Sequence, residues 1–128
     1  MYPSEFRYTK DHEWIKVEGD EGFVGITDFA QHQLGDIIYV ELPEVGQELA
    51  VHQSTGVVES VKSVSDVFAP VAGRVVAVNE DLAQAADLLN KDPHGKGWIV
   101  RIKIKDRKEL DGLMSAADYE KFLEGLEA

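Results

Sequence analysis

Short strand-like segments recur along the first hundred positions, and this feature limits the fold more than any other. "HEWIKVE" (12–18) alternates, "GFVGI" (22–26) follows an acidic turn, and "DIIYVEL" (36–42) is β-branched and aromatic. Further segments of this kind stand at 57–61, 64–68, 74–79 and 98–104. Many short strands separated by turns predict a mostly β fold, a sandwich or flattened barrel.

Helical signals are confined to one internal stretch and the end of the chain. In "TDFAQHQLG", Asp28 and Gln31 resemble a capping box, and Gly35 can end a helix in a left-handed conformation, so we expect a short helix over about 28–34. Near the end the period changes to 3.6, with apolar residues one helical face apart at Tyr119, Phe122, Leu123 and Leu126. We therefore expect a C-terminal helical extension over about 106–127.

Size and charge exclude several classes of protein. The 128 residues suit one domain spanning 1–128, and the net charge of −11 argues against a nucleic-acid partner. The chain has no cysteine, which excludes disulfides and thiolate chemistry. It also lacks an N-terminal apolar run and a stretch of roughly 20 apolar residues, so we expect no membrane segment. A cytoplasmic location of bacterial type is expected, or a mitochondrial one for a mature eukaryotic protein.

A search for catalytic and metal-binding motifs finds none. The four histidines are far apart in the sequence, so no local zinc motif exists and no metal is expected. There is no G-x-S-x-G nucleophile motif, and "GKGWIV" leads into a strand rather than the helix of a dinucleotide site. A chain without a catalytic constellation is expected to carry or bind a group rather than to catalyse.

The stretch "ESVKSVSD" (59–66) is nearly a mirror image of itself and predicts a hairpin. With Lys62 and Ser63 at the turn, Glu59 would face Asp66, although like charges directly opposite each other destabilise a sheet. A lysine at the tip of a rigid hairpin is well placed to hold a covalently attached arm. The alternative is an ordinary surface lysine on a solvated turn.

The sequence around this hairpin, and in most of the chain, resembles that of the glycine cleavage system H-protein family, whose members are lipoyl carriers. The resemblance lies in "YTKDHEWIKVEG", "VGITDFAQHQLGDIIYVELPEVG", "GVVESVKSVSDVFAPVAGRVVAVN" and "GWIVRIKI", and covers the chain from about residue 7. It implies a hybrid barrel-sandwich of two small antiparallel sheets with a short internal helix and C-terminal helices. It also implies that Lys62 carries lipoic acid in amide linkage, and that Glu59 and Gly73 are read by the lipoylating enzyme, a lipoate ligase or lipoyl synthase.

The resemblance further implies a cycle with three partner enzymes. Glycine decarboxylase (P-protein) would load an aminomethyl group, the aminomethyltransferase (T-protein) would remove it, and dihydrolipoyl dehydrogenase (L-protein) would reoxidise the dithiol. The cationic amine of the loaded arm would dock against acids and an apolar wall. The expected docking residues are Glu13, Asp66, Asp11, Ala30 and Leu34. For Glu13 the alternative is a strand carboxylate in water.

Two neighbouring functions are less well matched by the tip of the hairpin. A lipoyl domain of a 2-oxo-acid dehydrogenase usually has D-K-A there, and a biotin carrier has M-K-M, whereas this chain has V-K-S. A lipoyl relay to other enzymes, and a small hydrolase or binding module with an unmodified Lys62, remain as alternatives.

Overall fold

The computed structural model describes the backbone of residues 2–127 and the side chains of residues 2–126. In this part of the chain, nine strands form two antiparallel sheets. The strands are β1 (Arg7–Tyr8), β2 (Glu13–Glu18), β3 (Glu21–Ile26), β4 (Ile37–Glu41), β5 (Glu48–Leu49), β6 (Ser54–Ser60), β7 (Val64–Phe68), β8 (Gly73–Val78) and β9 (Val100–Ile104).

The two sheets differ in size. One has six strands in the order β1-β2-β3-β9-β8-β5, and the other has three in the order β4-β6-β7. Sequential strands pair as hairpins in β2–β3 and β6–β7, as the alternating segments predict. The expected mostly β fold with two small antiparallel sheets is confirmed.

Helical segments are short until the end of the chain. They are α1 (Asp28–Leu34), α2 (Leu88–Lys91) and α3 (Ala116–Glu127), with 3₁₀ turns at Glu80–Ala83 and Arg107–Gly112. None of the helices in the described part of the chain is long and apolar enough to cross a membrane.

Helix α1 covers the predicted residues but begins differently. Its N-cap is Thr27, whose hydroxyl oxygen accepts a hydrogen bond from the Ala30 N–H, so the expected cap at Asp28 is wrong by one residue. Asp28 instead accepts a hydrogen bond from the side chain of Gln31. Gly35 ends the helix with a positive φ of 81°, as expected for this glycine. The side chains of threonine and aspartate are both good N-caps. The backbone decides between them, because an N-cap residue is non-helical and Thr27 is extended whereas Asp28 is the first helical residue.

The buried side chains form two clusters. The larger lies between the sheets and includes Ile15, Val58, Val67 and Ile102, each at most 2% exposed. The smaller is largely aromatic and holds α3 against β1 and β2; its buried members are Phe6, Tyr8, Trp14, Ala116, Tyr119 and Leu123. The C-terminal helix is therefore packed on the β-structure by its apolar face.

Gly73 has a packing reason to be glycine. It begins β8 between Leu49 and Ile104, and a Cβ at this position would overlap the carbonyl oxygen of Lys103 on β9. Because that oxygen belongs to the backbone of a paired strand, a methyl group can be accommodated only if the strands separate.

We expect Gly73→Ala to lower the free energy of unfolding by about 1–3 kcal/mol, the usual range for overpacking a well-packed site. Denaturant unfolding measures the change. Gly125→Ala is the matched control, since its Cβ meets nothing within 4 Å and alanine favours a helix. Equal stability of the two variants would contradict the packing explanation.

Candidate functional site

The mirrored stretch forms a hairpin, but its turn is displaced by one position from the centre of the mirror. The Ser60 N–H donates to the Ser63 carbonyl over 2.8 Å, so Val61 and Lys62 are the two central residues. The pairs are then Glu59 with Val64 and Val58 with Ser65. Register shifts again at the far end of the hairpin, between Ser54 and Gly56.

The predicted register, with Glu59 opposite Asp66, is therefore wrong. Asp66 lies opposite Val57, and the two acids are diagonal neighbours on one face of the sheet. The two registers differ by a slip of two residues, which leaves every side chain on the same face, so the apolar pattern cannot distinguish them. Hydrogen bonds at the turn decide, because the Ser60 hydroxyl accepts from the Ser63 N–H at 3.0 Å.

Lys62 stands exposed at the tip of this hairpin. Its Cε lies 3.3 Å from the position that a Cβ on Gly35 would occupy, so the lysine stem rests on the end of α1. The Val61 N–H donates to the Asp36 carbonyl at 3.0 Å and ties the tip to the same segment. No ion pair of Lys62 is found among the described side chains. The amine is thus accessible while the root of its stem is fixed.

A small cavity lies between β2, α1 and β7, and it gathers all five expected docking residues. Its volume is about 130 Å³, room for about four water molecules, so it suits a small group. Ala30 and Leu34 of α1 supply an apolar wall, as expected. The complete lining is Asp11, His12, Glu13, Ile26, Ala30, Gln33, Leu34, Val58, Ser65, Asp66 and Val67.

Glu13 is the buried acid of this cavity, with 2% of its surface exposed. One carboxylate oxygen accepts from the Thr9 hydroxyl at 2.6 Å, and the other accepts from the Phe68 N–H at 3.0 Å. Burial raises the pKa of Glu13 to about 7, and the two hydrogen bonds only partly oppose it. The alternative of a strand carboxylate in water is excluded by this burial.

The other two acids are exposed at the rim. Asp66 lies on the edge strand β7 and accepts a hydrogen bond from the Ser54 hydroxyl at 3.0 Å. Asp11 precedes His12, whose backbone φ of 70° is in the left-handed region. The chain turns there, with the His12 N–H donating to the Thr9 carbonyl, before β2 begins at Glu13. One buried and two exposed carboxyl groups thus surround a single opening.

Sequence reasoning missed the residues that support the cavity wall. The Tyr119 hydroxyl of α3 lies 2.8 Å from His12 Nδ1 and 2.7 Å from the Thr27 hydroxyl. Burial lowers the pKa of His12, which favours a neutral ring in this hydrogen bond with Tyr119. The C-terminal helix therefore braces the two residues that immediately precede β2 and α1. Nothing in the local sequence signals this, since Tyr119 shows only the periodicity of a packed helix.

Asn90 of α2 was missed for the same reason. Its amide nitrogen donates to the Gly35 carbonyl and to the Gln31 side chain, each at 2.9 Å. Its oxygen accepts from the Ile37 N–H at 2.9 Å. These three bonds fix the junction of α1 and β4 on which the Lys62 stem rests.

The two residues expected to be read by a lipoylating enzyme are not brought together with the cavity. Glu59 lies half-buried on β6, three residues before Lys62, whereas Gly73 is buried in the other sheet. Within residues 2–126, no cluster of three or more His, Asp or Glu side chains could hold a metal ion.

The burial of Glu13 predicts a specific pH dependence of stability. Because its folded pKa is raised from 4.5 to about 7, the stabilisation is complete below 4.5 and is lost as pH rises through 7. We expect the free energy of unfolding of the wild type to fall by about 3 kcal/mol more than that of Glu13→Gln across this range. Denaturant unfolding between pH 4.5 and 8.5 measures the difference.

Glu18→Gln is the control for this experiment, since it alters an exposed glutamate of the same strand. Its stability should follow the wild-type curve. Parallel curves for the wild type and Glu13→Gln would show that Glu13 does not titrate in this range.

Comparison with known proteins assigns the family. A family model described as "Glycine cleavage H-protein" matches residues 6–126. The glycine cleavage system H protein of Carboxydothermus hydrogenoformans is 54% identical over 124 residues, which cover 97% of this chain and 95% of the relative. That of Beijerinckia indica is 58% identical over 120 residues, covering 94% and 97%.

A solved structure agrees with this assignment. The crystal structure of a glycine cleavage system H protein from Mycobacterium marinum matches with a TM-score of 0.83 and 37% identity, covering 92% of this chain and 95% of that one. The resemblance seen in the sequence is thereby confirmed. The chain belongs to the glycine cleavage H-protein family, and is a carrier component of that system rather than an enzyme.

Proposed function

We propose that Lys62 carries lipoic acid in amide linkage and that the chain moves an aminomethyl group between enzymes. The proposed route runs from glycine decarboxylase (P-protein) to the aminomethyltransferase (T-protein), with dihydrolipoyl dehydrogenase (L-protein) restoring the disulfide. The observation that carries the proposal is one accessible amine at the tip of a fixed hairpin, close along the chain to a cavity with a buried carboxyl group. The bound lipoyl group supplies a disulfide that takes up the cargo and two electrons as its S–S bond opens.

Lys62 meets the requirements of an attachment residue. Its exposed amine can reach the active site of another enzyme, and the hydrogen bonds of Ser60, Val61 and Ser63 hold the backbone below it. Gly35 leaves room for the stem against α1. A fixed root with a mobile arm keeps the cargo at high local concentration for each partner enzyme.

The cavity residues suit a returning cationic amine. Lys62 and Asp66 are four residues apart, at most about 14 Å along the chain, a span that a lysine extended by a lipoyl chain can cover. In the absence of a bound cation, burial raises the pKa of Glu13 to about 7. A positive charge at this point favours the ionised carboxylate, so arrival of the amine would be linked to loss of the Glu13 proton. Asp66 and Asp11 lie at the rim of the cavity and Ala30 and Leu34 form its apolar wall, which would cover the apolar part of the arm.

The domain and location follow from the same proposal. We assign residues 1–128 to one carrier domain, with the helical segments after residue 106 bracing the cavity through Tyr119. The relatives named above are bacterial, which supports action in the cytoplasm.

The attachment is tested by mass spectrometry of the chain expressed with lipoate and a lipoate ligase. We expect one lipoyl group on the peptide that contains Lys62, and complete loss of it in Lys62→Arg. Lys91→Arg, which changes another exposed lysine, should be modified like the wild type. An unmodified wild-type chain would overturn the proposed function.

The docking role of Glu13 is tested on the lipoylated protein after loading by the P-protein with glycine. We expect Glu13→Gln to shorten the lifetime of the loaded form about tenfold or more, because a hydrogen bond to a charged group contributes about 1.5–3 kcal/mol. Lipoylation at Lys62 should be unchanged. Release of the cargo at the same rate from Glu13→Gln, Glu18→Gln and the wild type would count against this role.

A further inference from the structure

Exposed apolar side chains are concentrated around Lys62. Four large ones, between 51% and 73% exposed, form what we call the collar, which comprises Ile38, Tyr39, Val61 and Val64. Among the described residues, the large apolar side chains of comparable exposure outside it are Val45 and Leu126. Contiguous exposed apolar groups with a polar rim are typical of interaction sites.

Strand pairing places two members of the collar, Tyr39 and Val64, on one face of the small sheet. Tyr39 is opposite Glu59 on β6, and Glu59 is opposite Val64 on β7, so the three project from the same face. Ile38 lies in the irregularity that precedes Tyr39 on β4. Val61 adjoins Lys62 and is bonded through its N–H to Asp36, two residues before Ile38. The collar therefore extends from the tip of the hairpin to the first half of β4.

Apart from Lys62, the charged residues of the small sheet are acidic. In the three-stranded sheet and the loop of its hairpin, all of which the structure describes, Lys62 is the one cation. The acids of this sheet and of the residue that leads into it are Asp36, Glu41, Glu59 and Asp66. Acylation of Lys62 would remove even that positive charge. A surface of this kind is complementary to an apolar recess with a rim of lysine and arginine.

We propose that the collar is the docking surface for the enzyme that acylates Lys62, and that this enzyme presents an apolar recess with a cationic rim. The reason is reach. The amine is held on a four-carbon stem whose Cε lies against Gly35, so an active site can surround the amine only by covering the side chains beside it. Enzymes that act on the far end of an attached arm do not need this contact. The inference rests on the proposed function, since it takes Lys62 as the attachment residue.

The reaction itself balances with a lipoyl adenylate as the acyl donor. The Lys62 amine, after losing a proton, forms a bond to the carbonyl carbon, and the bond from that carbon to the adenylate oxygen breaks. AMP leaves, and the nitrogen gives up a second proton as the amide forms. Charge loss at Lys62 then leaves the three-stranded sheet and its hairpin loop with acids alone as charged residues.

The test uses the unlipoylated full chain with lipoate ligase, lipoate and ATP, and follows lipoyl transfer by intact mass. We expect the double variant Ile38→Ser and Tyr39→Ser to lose about tenfold or more in kcat/KM, since a buried aromatic anchor commonly contributes more than 1.4 kcal/mol at an interface. Both changes lie on β4 and leave the turn at Lys62 intact. Tyr39→Phe should keep the wild-type rate, because the contact is apolar.

The matched control is the double variant Val45→Ser and Leu126→Ser, which removes two side chains of similar exposure elsewhere. Its rate should stay within about twofold of the wild type. A second measurement uses variants that cannot themselves be lipoylated and follows their inhibition of wild-type lipoylation. Lys62→Arg should inhibit lipoylation of the wild type by competition, and the same chain with the two β4 substitutions should not.

The outcomes separate the inference from the function on which it rests. If the wild type is lipoylated and the β4 variant has the same kcat/KM, the collar inference is overturned and the function stands. The same holds if the control variant loses as much kcat/KM as the β4 variant. If the wild type takes up no lipoyl group, both fail. The wild-type rate should also fall as ionic strength rises, and a rate that is insensitive to salt would overturn the cationic rim.

Discussion

The hydrogen-bonded burial of Glu13 is the interaction on which the arrangement of the site depends. Glu13 belongs to β2 of the six-stranded sheet. Its carboxylate accepts a hydrogen bond from the N–H of Phe68, at the end of β7 in the other sheet. The cavity therefore lies where the two sheets are joined by a side chain rather than by a strand. Thr9 completes the arrangement from the turn before β2, so both carboxylate oxygens are held by hydrogen bonds within the fold.

The ionised form of this acid is costly to the fold, and the residues around its cavity are held by hydrogen bonds from other elements. Burial raises the pKa of Glu13 to about 7 and makes its ionised form unfavourable. Around it, Tyr119 binds both His12 and Thr27, and Asn90 fixes the junction between α1 and β4. The C-terminal helix and α2, which contribute little to the sheets, serve to position the wall of the cavity and the base of the Lys62 stem.

Much of the fold was predictable because its signals are local. Alternation, turn residues and β-branched composition identified the strands at 13–18, 21–26 and 37–41 to within about a residue, and the helix at 28–34 was confirmed with its terminal Gly35. The register of the β6–β7 hairpin was not predictable in the same way. A slip of two residues preserves which face each side chain occupies, so the mirrored sequence suggested a symmetric pairing that the Ser60 turn does not adopt.

The sequence by itself determined the mostly β architecture, the hairpin and the family, because periodicity, turn residues and a long matching sequence are all properties of neighbouring positions. It also singled out Lys62, whose proposed lipoylation remains a prediction. Only the tertiary structure decided that Glu13 is buried, that Ile38 and Tyr39 of β4 lie beside Glu59 of β6, about twenty residues away along the chain, and that Tyr119 braces the cavity. The physical reason is that burial, pKa and strand pairing depend on contacts between residues that are distant in the sequence. A pattern of neighbouring residues does not specify such contacts.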